Sequence, residues 1–319
     1  MHMLMQHEAA APPDQQIITL DAIDQRLARY AELARGAFSP NTLRAIASDT
    51  RIFQAWCADA GRSYVPATSD TVATFIDAMG QTRKPATVTR YVASIDHLHR
   101  ALDLPPPGAG NAARLALRRL RRAKGAQQDQ ARALRWKTIA KSLARMGDEL
   151  IDLRDAALLC LAYDTFARAS ELVAFHVGDI QQDIDGATAL IRSSKTDQDG
   201  EGDDRFIAPT TYARVEAWVQ AARLGKDDPL FIPLGFAARN DRLSTGDISA
   251  IIARRCGDRY SAHSTRVGAT QDALAAGATT GAIQQAGGWK SERMVLRYGG
   301  RIKAKESAAA MLAKAQGRL

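Results

Sequence analysis

From Thr42 onward, Leu43, Ile46, Thr50, Phe53 and Cys57 recur at alternating spacings of three and four, after Pro40 and Asn41 and before Gly61. That period places them on one face of an amphipathic helix. Val72, Phe75, Ile76 and Met79 repeat the pattern up to Gly80. Val88, Tyr91, Ile95, Leu98 and Leu102 repeat it up to Pro105-Pro106-Pro107, where the rings remove the amide donors a helix needs. A further helix starts near Asn111, so the first half is predicted to be a helical bundle. In the second half, helical patterns around Ile139 to Met146 and Asp152 to Tyr163 give way near Val177 to a different period. Ile180 to Ile184, an Asp185-Gly186 turn, Ala187 to Arg192 and Arg205 to Ala208 predict a small antiparallel sheet, because Asp-Gly supplies the positive-φ residues of a tight hairpin. Helices resume near Tyr212. Ser244-x-x-Asp247 opens the stretch to Arg254 with a capping-box pattern, and helical spacing continues to Met294 with short glycine breaks. After Tyr298, Gly299-Gly300 is expected to give slack, before Ala308, Met311, Leu312, Ala315 and Leu319 line one face of a last helix that needs a partner. The fold class expected is mainly α with a small antiparallel β-sheet.

Length and charge narrow this further. A chain of 319 residues favours two domains over one. Residues 1–16 read as a floppy tail without the basic start and apolar run of a secretory signal. Lysine and arginine total 43 against 35 acids, and the pI near 9.6 favours a polyanionic partner, nucleic acid before an anionic membrane. The densest cations, Arg114, Arg118, Arg119, Arg121, Arg122 and Lys124, share one predicted helix with no acid among them. An exposed solvated face is the bland reading, DNA contact the sharper one. The polar segment 125–131 then reads as a linker, with one domain at 17–124 and another at 132–319. Cys57, Cys160 and Cys256 lack the paired spacing of a zinc or disulfide framework, which fits a reducing cytoplasm. The longest apolar run, Ala156 to Ala162, is far below the roughly 20 residues that span a bilayer, so no membrane partner is expected.

Four short segments carry candidate chemistry, and each has an ordinary explanation when taken alone. Arg168 and Glu171 stand three apart, so on a helix the carboxylate can orient the guanidinium, as in many surface ion pairs. His263 and Arg266 have the same spacing and could grip one phosphate from one side; a solvated or core histidine is the quieter use. Lys195 lies in a turn after the predicted strand ending at Arg192. Trp289, in Gly287-Gly288-Trp289-Lys290, and Tyr298, nine residues later, are residue types that usually pack a core. The turn after Lys195 is unusually acidic, with Asp197, Asp199, Glu201, Asp203 and Asp204. Counting from Asp197, however, Ala208 stands where a calcium loop needs a bidentate glutamate, so no metal site is expected.

Taken in order, an arginine with a nearby glutamate, a hairpin lysine, His-x-x-Arg, Gly-Gly-Trp and a tyrosine resemble the catalytic domain of the tyrosine recombinases, the phage integrase family. The tryptophan and the phrase His-Ser-x-Arg-Val-Gly are more similar to the Cre-like branch than to the Xer proteins. The resemblance extends over residues 17–319, because the N-terminal bundle with its basic helix resembles the family's DNA core-binding domain. It implies a site-specific recombinase that cleaves and rejoins double-stranded DNA through a 3′-phosphotyrosine, with neither metal nor nucleotide cofactor. Arg168 and Arg266 would then hold the scissile phosphate and Tyr298 would be the nucleophile. Because phenols are mostly protonated at neutral pH, His263 is the candidate proton acceptor. Lys195 is the candidate general acid for the leaving 5′ oxygen and Trp289 a hydrogen-bond donor to the phosphate. The resemblance also implies a homo-tetramer on two DNA sites, closed through the C-terminal helix, with docking of that helix on its own catalytic domain as the alternative. Its rivals are a type IB topoisomerase, which would relax DNA without pairing sites, and a DNA-binding factor without cleavage. The latter would lack a catalytic residue, and none is missing.

Overall fold

The computed structural model describes residues 20–125, 130–192, 202–235, 241–304 and 307–318. The chain divides into two compact units between Gln128 and Asp129.

The first unit is helical: α1 (Leu20–Leu33), α2 (Pro40–Asp59), α3 (Ser69–Thr82), α4 (Pro85–Ala101) and α5 (Asn111–Lys124), with a 3₁₀ turn at Pro107–Ala109. Proline at the first position starts α2 and α4, where the missing amide has no partner to lose. Ser39 caps α2 by accepting from the Thr42 N–H at 3.2 Å. Phe53, Phe75, Tyr91, Val88, Ile95 and Leu120 meet in a closed apolar core, with Phe53 and Phe75 edge to face at 5.0 Å between ring centres. Helix α1 goes beyond the sequence reading, although Ile23, Leu27 and Tyr30 carry its period. The buried face of α2 is also rotated from the expected one. Leu43 is exposed, while Asp49 is buried, where it accepts from Ser94 Oγ at 2.9 Å and pairs with Arg90 at 3.0 Å.

The second unit contains α6 (Trp136–Leu143), α7 (Leu150–Asp164), α8 (Ala169–Ala174), the strands β1 (Ile180–Asp183), β2 (Gly186–Ile191) and β3 (Asp203–Ile207), and α9 (Pro209–Ala222). It continues through α10 (Thr245–Cys256), α11 (Ala262–Ala275), α12 (Thr280–Gly287), α13 (Glu292–Ala304) and α14 (Ala308–Ala315). Every residue of α7 from Arg154 to Ala162 is buried, as a helix apolar on nearly all sides requires. The sheet is antiparallel in the order β1-β2-β3, with Ala187 opposite Ile207 and Ala189 opposite Arg205. Mainly α with one small antiparallel sheet is therefore the fold.

Three local expectations need correction. The hairpin turn is Ile184-Asp185, because Gly186 already pairs with Asp183. Gly186 is needed instead for close approach, since a Cβ there would lie 2.5 Å from the Ile207 carbonyl oxygen. Helix α9 starts at Pro209, earlier than the apolar pattern from Tyr212 suggested. Gly299-Gly300 gives no slack: α13 runs straight through it, and a Cβ on Gly299 would lie 1.8 Å from Leu274 Cδ1. Gly299 allows α13 to press onto α11. The capping box at Ser244 is present, with Asp247 accepting from the Ser244 N–H at 2.8 Å. No helix among the described residues is long and apolar enough to cross a membrane.

Candidate active site

Arg168 is the N-cap of α8, with extended backbone, and Glu171 is its third helical residue. The two are therefore not neighbours along a helix face, as their spacing suggested. Glu171 Oε2 accepts from the Arg168 N–H at 2.8 Å, and its Oε1 accepts from Arg168 Nη1 at 2.5 Å. One buried carboxylate thus caps the helix and fixes the guanidinium, which stays 23% exposed.

Helix α11 supplies His263 and Arg266. Arg266 is fully buried, donating Nη1 to the Phe166 carbonyl and Nη2 to the Gly287 carbonyl. Its Cζ lies 4.1 Å from the centre of the Trp289 ring, a cation–π contact made in a desolvated setting. Burial and then the charge of Arg168 push Arg266 down to about 9, so it remains a cation at neutral pH. Phe166 holds its carbonyl there from a left-handed backbone, φ 51°, a conformation a bulky residue rarely adopts.

Tyr298, on α13, is nearly buried. Its hydroxyl lies 3.2 Å from His263 Nε2, and its ring stands beside Trp289 with centres 5.6 Å apart. The Tyr298 carbonyl accepts from Gln271 of α11 at 3.1 Å. Desolvation, followed by the charges of Arg266, Arg168 and Arg297, holds the His263 imidazole below its ordinary value of 6.5. At neutral pH it is uncharged and can accept a proton at Nε2.

The ends of α11 are fixed from behind. Leu134 donates its N–H to the Ser264 carbonyl at 2.8 Å, and Gly268 permits this contact because a Cβ there would lie 1.8 Å from the Leu134 carbonyl oxygen. Asp272 accepts from the Trp136 N–H at 2.8 Å and from the Tyr163 hydroxyl at 2.5 Å, and it also pairs with Arg135.

Arg168, Glu171, His263, Arg266, Trp289 and Tyr298 therefore share one site. Lys195 and the acidic positions Asp197, Asp199 and Glu201 lie outside the described residues. Two residues that shape the site escaped the sequence reading. Phe166 left no signal, because nothing in its neighbours announces a positive φ. Arg205 did leave one: it alternates with Ile207 on the inward face of β3, an unusual place for a cation.

In the first unit, Arg114, Arg118, Arg121 and Arg122 line a surface groove of about 340 Å³ with Leu117 on α5. The expectation of six unopposed cations needs adjustment, because Arg119 pairs with Asp77 of α3 at 3.1 Å and Lys124 donates to the Gln81 carbonyl at 3.0 Å.

Residues 132–303 match the phage integrase family, and 295 residues align at 31% identity with the Cre recombinase of Escherichia phage P1, covering 83% of this chain and 85% of that protein. The chain belongs to the phage integrase family. It is a tyrosine-type site-specific DNA recombinase. An integrase/recombinase XerD homolog of Selenomonas ruminantium is 30% identical over 277 residues, 81% of each chain. Among solved structures, XerH site-specific recombinase bound to a palindromic difH substrate matches the fold with a TM-score of 0.65 at 14% identity, over 94% of this chain and 91% of that one.

Proposed function

We propose that this family member cleaves DNA with Tyr298, forms a 3′-phosphotyrosine, and exchanges strands between two target sites. The observation that carries the reading is the Tyr298 hydroxyl at 3.2 Å from His263 Nε2, beside a buried Arg266. A phosphodiester repels nucleophiles, so cleavage needs fixed positive charge where the transition state gains negative charge. Arg168 and Arg266 supply that charge, and Glu171 orients the first of them. The Tyr298 oxygen attacks phosphorus while its proton passes to His263 Nε2; the P–O5′ bond breaks, and the 5′ oxygen leaves with a proton from Lys195. Trp289 donates its indole N–H to the phosphate. A 5′-hydroxyl then reverses the attack. If it comes from the partner duplex, strands are exchanged.

Residues 17–124 serve as the core-binding domain and 132–319 as the catalytic domain, joined by the linker 125–131. The exposed arginines of α5, Arg114, Arg118 and Arg122, grip phosphates, with Arg119, Arg121 and Lys124 contributing less because they already bond Asp77, the Thr89 hydroxyl and the Gln81 carbonyl. In α14, Met311 and Leu312 are 66% and 54% exposed, which supports docking of that helix on a neighbouring subunit in a homo-tetramer around two duplexes. The reaction takes place in the cytoplasm.

The test is a strand-exchange assay on pairs of duplexes drawn from the DNA flanking its own gene, one duplex labelled, with relaxation of a supercoiled plasmid followed in parallel. Recombinant product that requires two matching sites is expected. Relaxation that needs only one site, with no exchange, would instead make the enzyme a type IB topoisomerase.

A further inference from the structure

Two consecutive carbonyls at the C-terminal end of α12 are each taken by a different buried guanidinium. Arg266 of α11 donates to Gly287, and Arg205 of β3 donates to Ala286. Helix C-termini leave carbonyls without partners and attract positive charge. We propose that Arg205 is a positioning residue for the cleavage step, clamping the 286–289 segment to β3 so that the Trp289 ring stays seated on Arg266. The proposal rests on the reading of Tyr298, Arg266 and Trp289 given above.

Arg205 is difficult to explain as core filling. Its side chain is 2% exposed, and it occupies an inward strand position beside Ile207, with Ala189 directly opposite. A hydrocarbon there would fill space without the desolvation penalty of a buried cation. The guanidinium is also incompletely satisfied: Nη2 donates to Asp203 at 2.5 Å, while the buried Nε N–H has no partner among the described residues. A residue kept despite that penalty is expected to fix a geometry. The glycines beside it carry the imprint of the clamp. A Cβ on Gly288, which sits at φ +58°, would lie 2.3 Å from Arg205 Nη2, and a Cβ on Gly287 would lie 2.0 Å from the Trp289 ring. Gly287 thus makes room for the indole and Gly288 for the guanidinium. Residues 287–289 lie between the two arginines.

The test measures the rate of covalent adduct formation on nicked duplexes from the DNA flanking its own gene, at saturating protein, together with DNA affinity and thermal unfolding. Arg205→Met is expected to slow adduct formation about 100-fold, as a small misplacement of reacting groups does, with DNA affinity nearly unchanged. In a Trp289→Phe background the same substitution should cost less than about 5-fold, because the two changes disrupt one arrangement. Arg205→Lys should recover part of the rate. If Arg205→Met does not unfold cooperatively, Asp203→Asn, at a partner that is 36% exposed, carries the test with a smaller loss and the same dependence on Trp289. An unchanged rate, or a full loss that persists in the Trp289→Phe background, overturns the proposal. So does a fall in affinity matching the fall in rate. No adduct with the wild-type protein overturns the reading of Tyr298 itself, and the clamp with it.

Discussion

The arginines of α5 and those around Tyr298 are the same side chain in opposite settings. On α5, Arg114, Arg118, Arg121 and Arg122 line an open groove, and their charge is available to any phosphate. Around Tyr298, Arg205 and Arg266 are buried and spend their donors on the backbone carbonyls of Ala286, Phe166 and Gly287, while Arg168 is locked by Glu171. Exposed cations attract DNA by releasing counterions and are individually replaceable. Buried ones carry a desolvation penalty and are useful only in a fixed geometry. The first set is suited to holding DNA and the second to changing it.

Arg266→Lys tests that division most severely. A lysine has no planar fork for two carbonyls and a ring, so adduct formation should fall about 1,000-fold, as for loss of a preorganised electrostatic contact, with DNA affinity preserved. A parallel loss of affinity would break the comparison. His263→Ala should reduce the rate about 100-fold, the usual scale for a general base. It should also abolish the acid limb of the pH profile. In the wild type, His263 must be unprotonated to accept from Tyr298. Because its folded value is lowered, activity should persist below pH 6.5 and be lost only as pH falls through that lowered value. An acid limb above 6.5 would contradict the assignment. Replacing both Arg118 and Arg122 with alanine should leave cleavage at saturating DNA unchanged and flatten the log-log salt dependence of binding by about 0.9 per lost phosphate contact. The smallest effect belongs to Arg119→Ala. Its bond to Asp77 joins two exposed side chains, worth about 0–1 kcal/mol in a denaturant titration, and the salt dependence should barely move.

The sequence made α2 to α5 and the sheet legible because apolar period and proline placement are local signals, as at Pro40 at the start of α2, the Pro105-Pro106-Pro107 break after α4 and the α4 face. Through their order rather than any one of them, it also singled out Arg168, Glu171, His263, Arg266, Trp289 and Tyr298, which the fold brings together. What it could not give were facts set by tertiary approach. Asp49 is buried because Ser94 and Arg90 meet it from another helix. Gly299 lies inside α13 because Leu274 sits opposite. Arg205 was overlooked because a cation in a short strand reads as solvated until its carbonyl partner, some 80 residues away in sequence, is known. Phe166 shows the same limit, since its strained backbone is imposed by its surroundings.

The central claim, that Tyr298 becomes covalently joined to DNA, is tested most directly by incubating the wild-type protein and a Tyr298→Phe variant with nicked duplexes from the DNA flanking its own gene, in EDTA, and running denaturing gels. The wild type should give an adduct whose DNA-linked peptide contains Tyr298, and the variant should bind but give none. An adduct formed equally by Tyr298→Phe, or one mapped to another residue, would contradict the account.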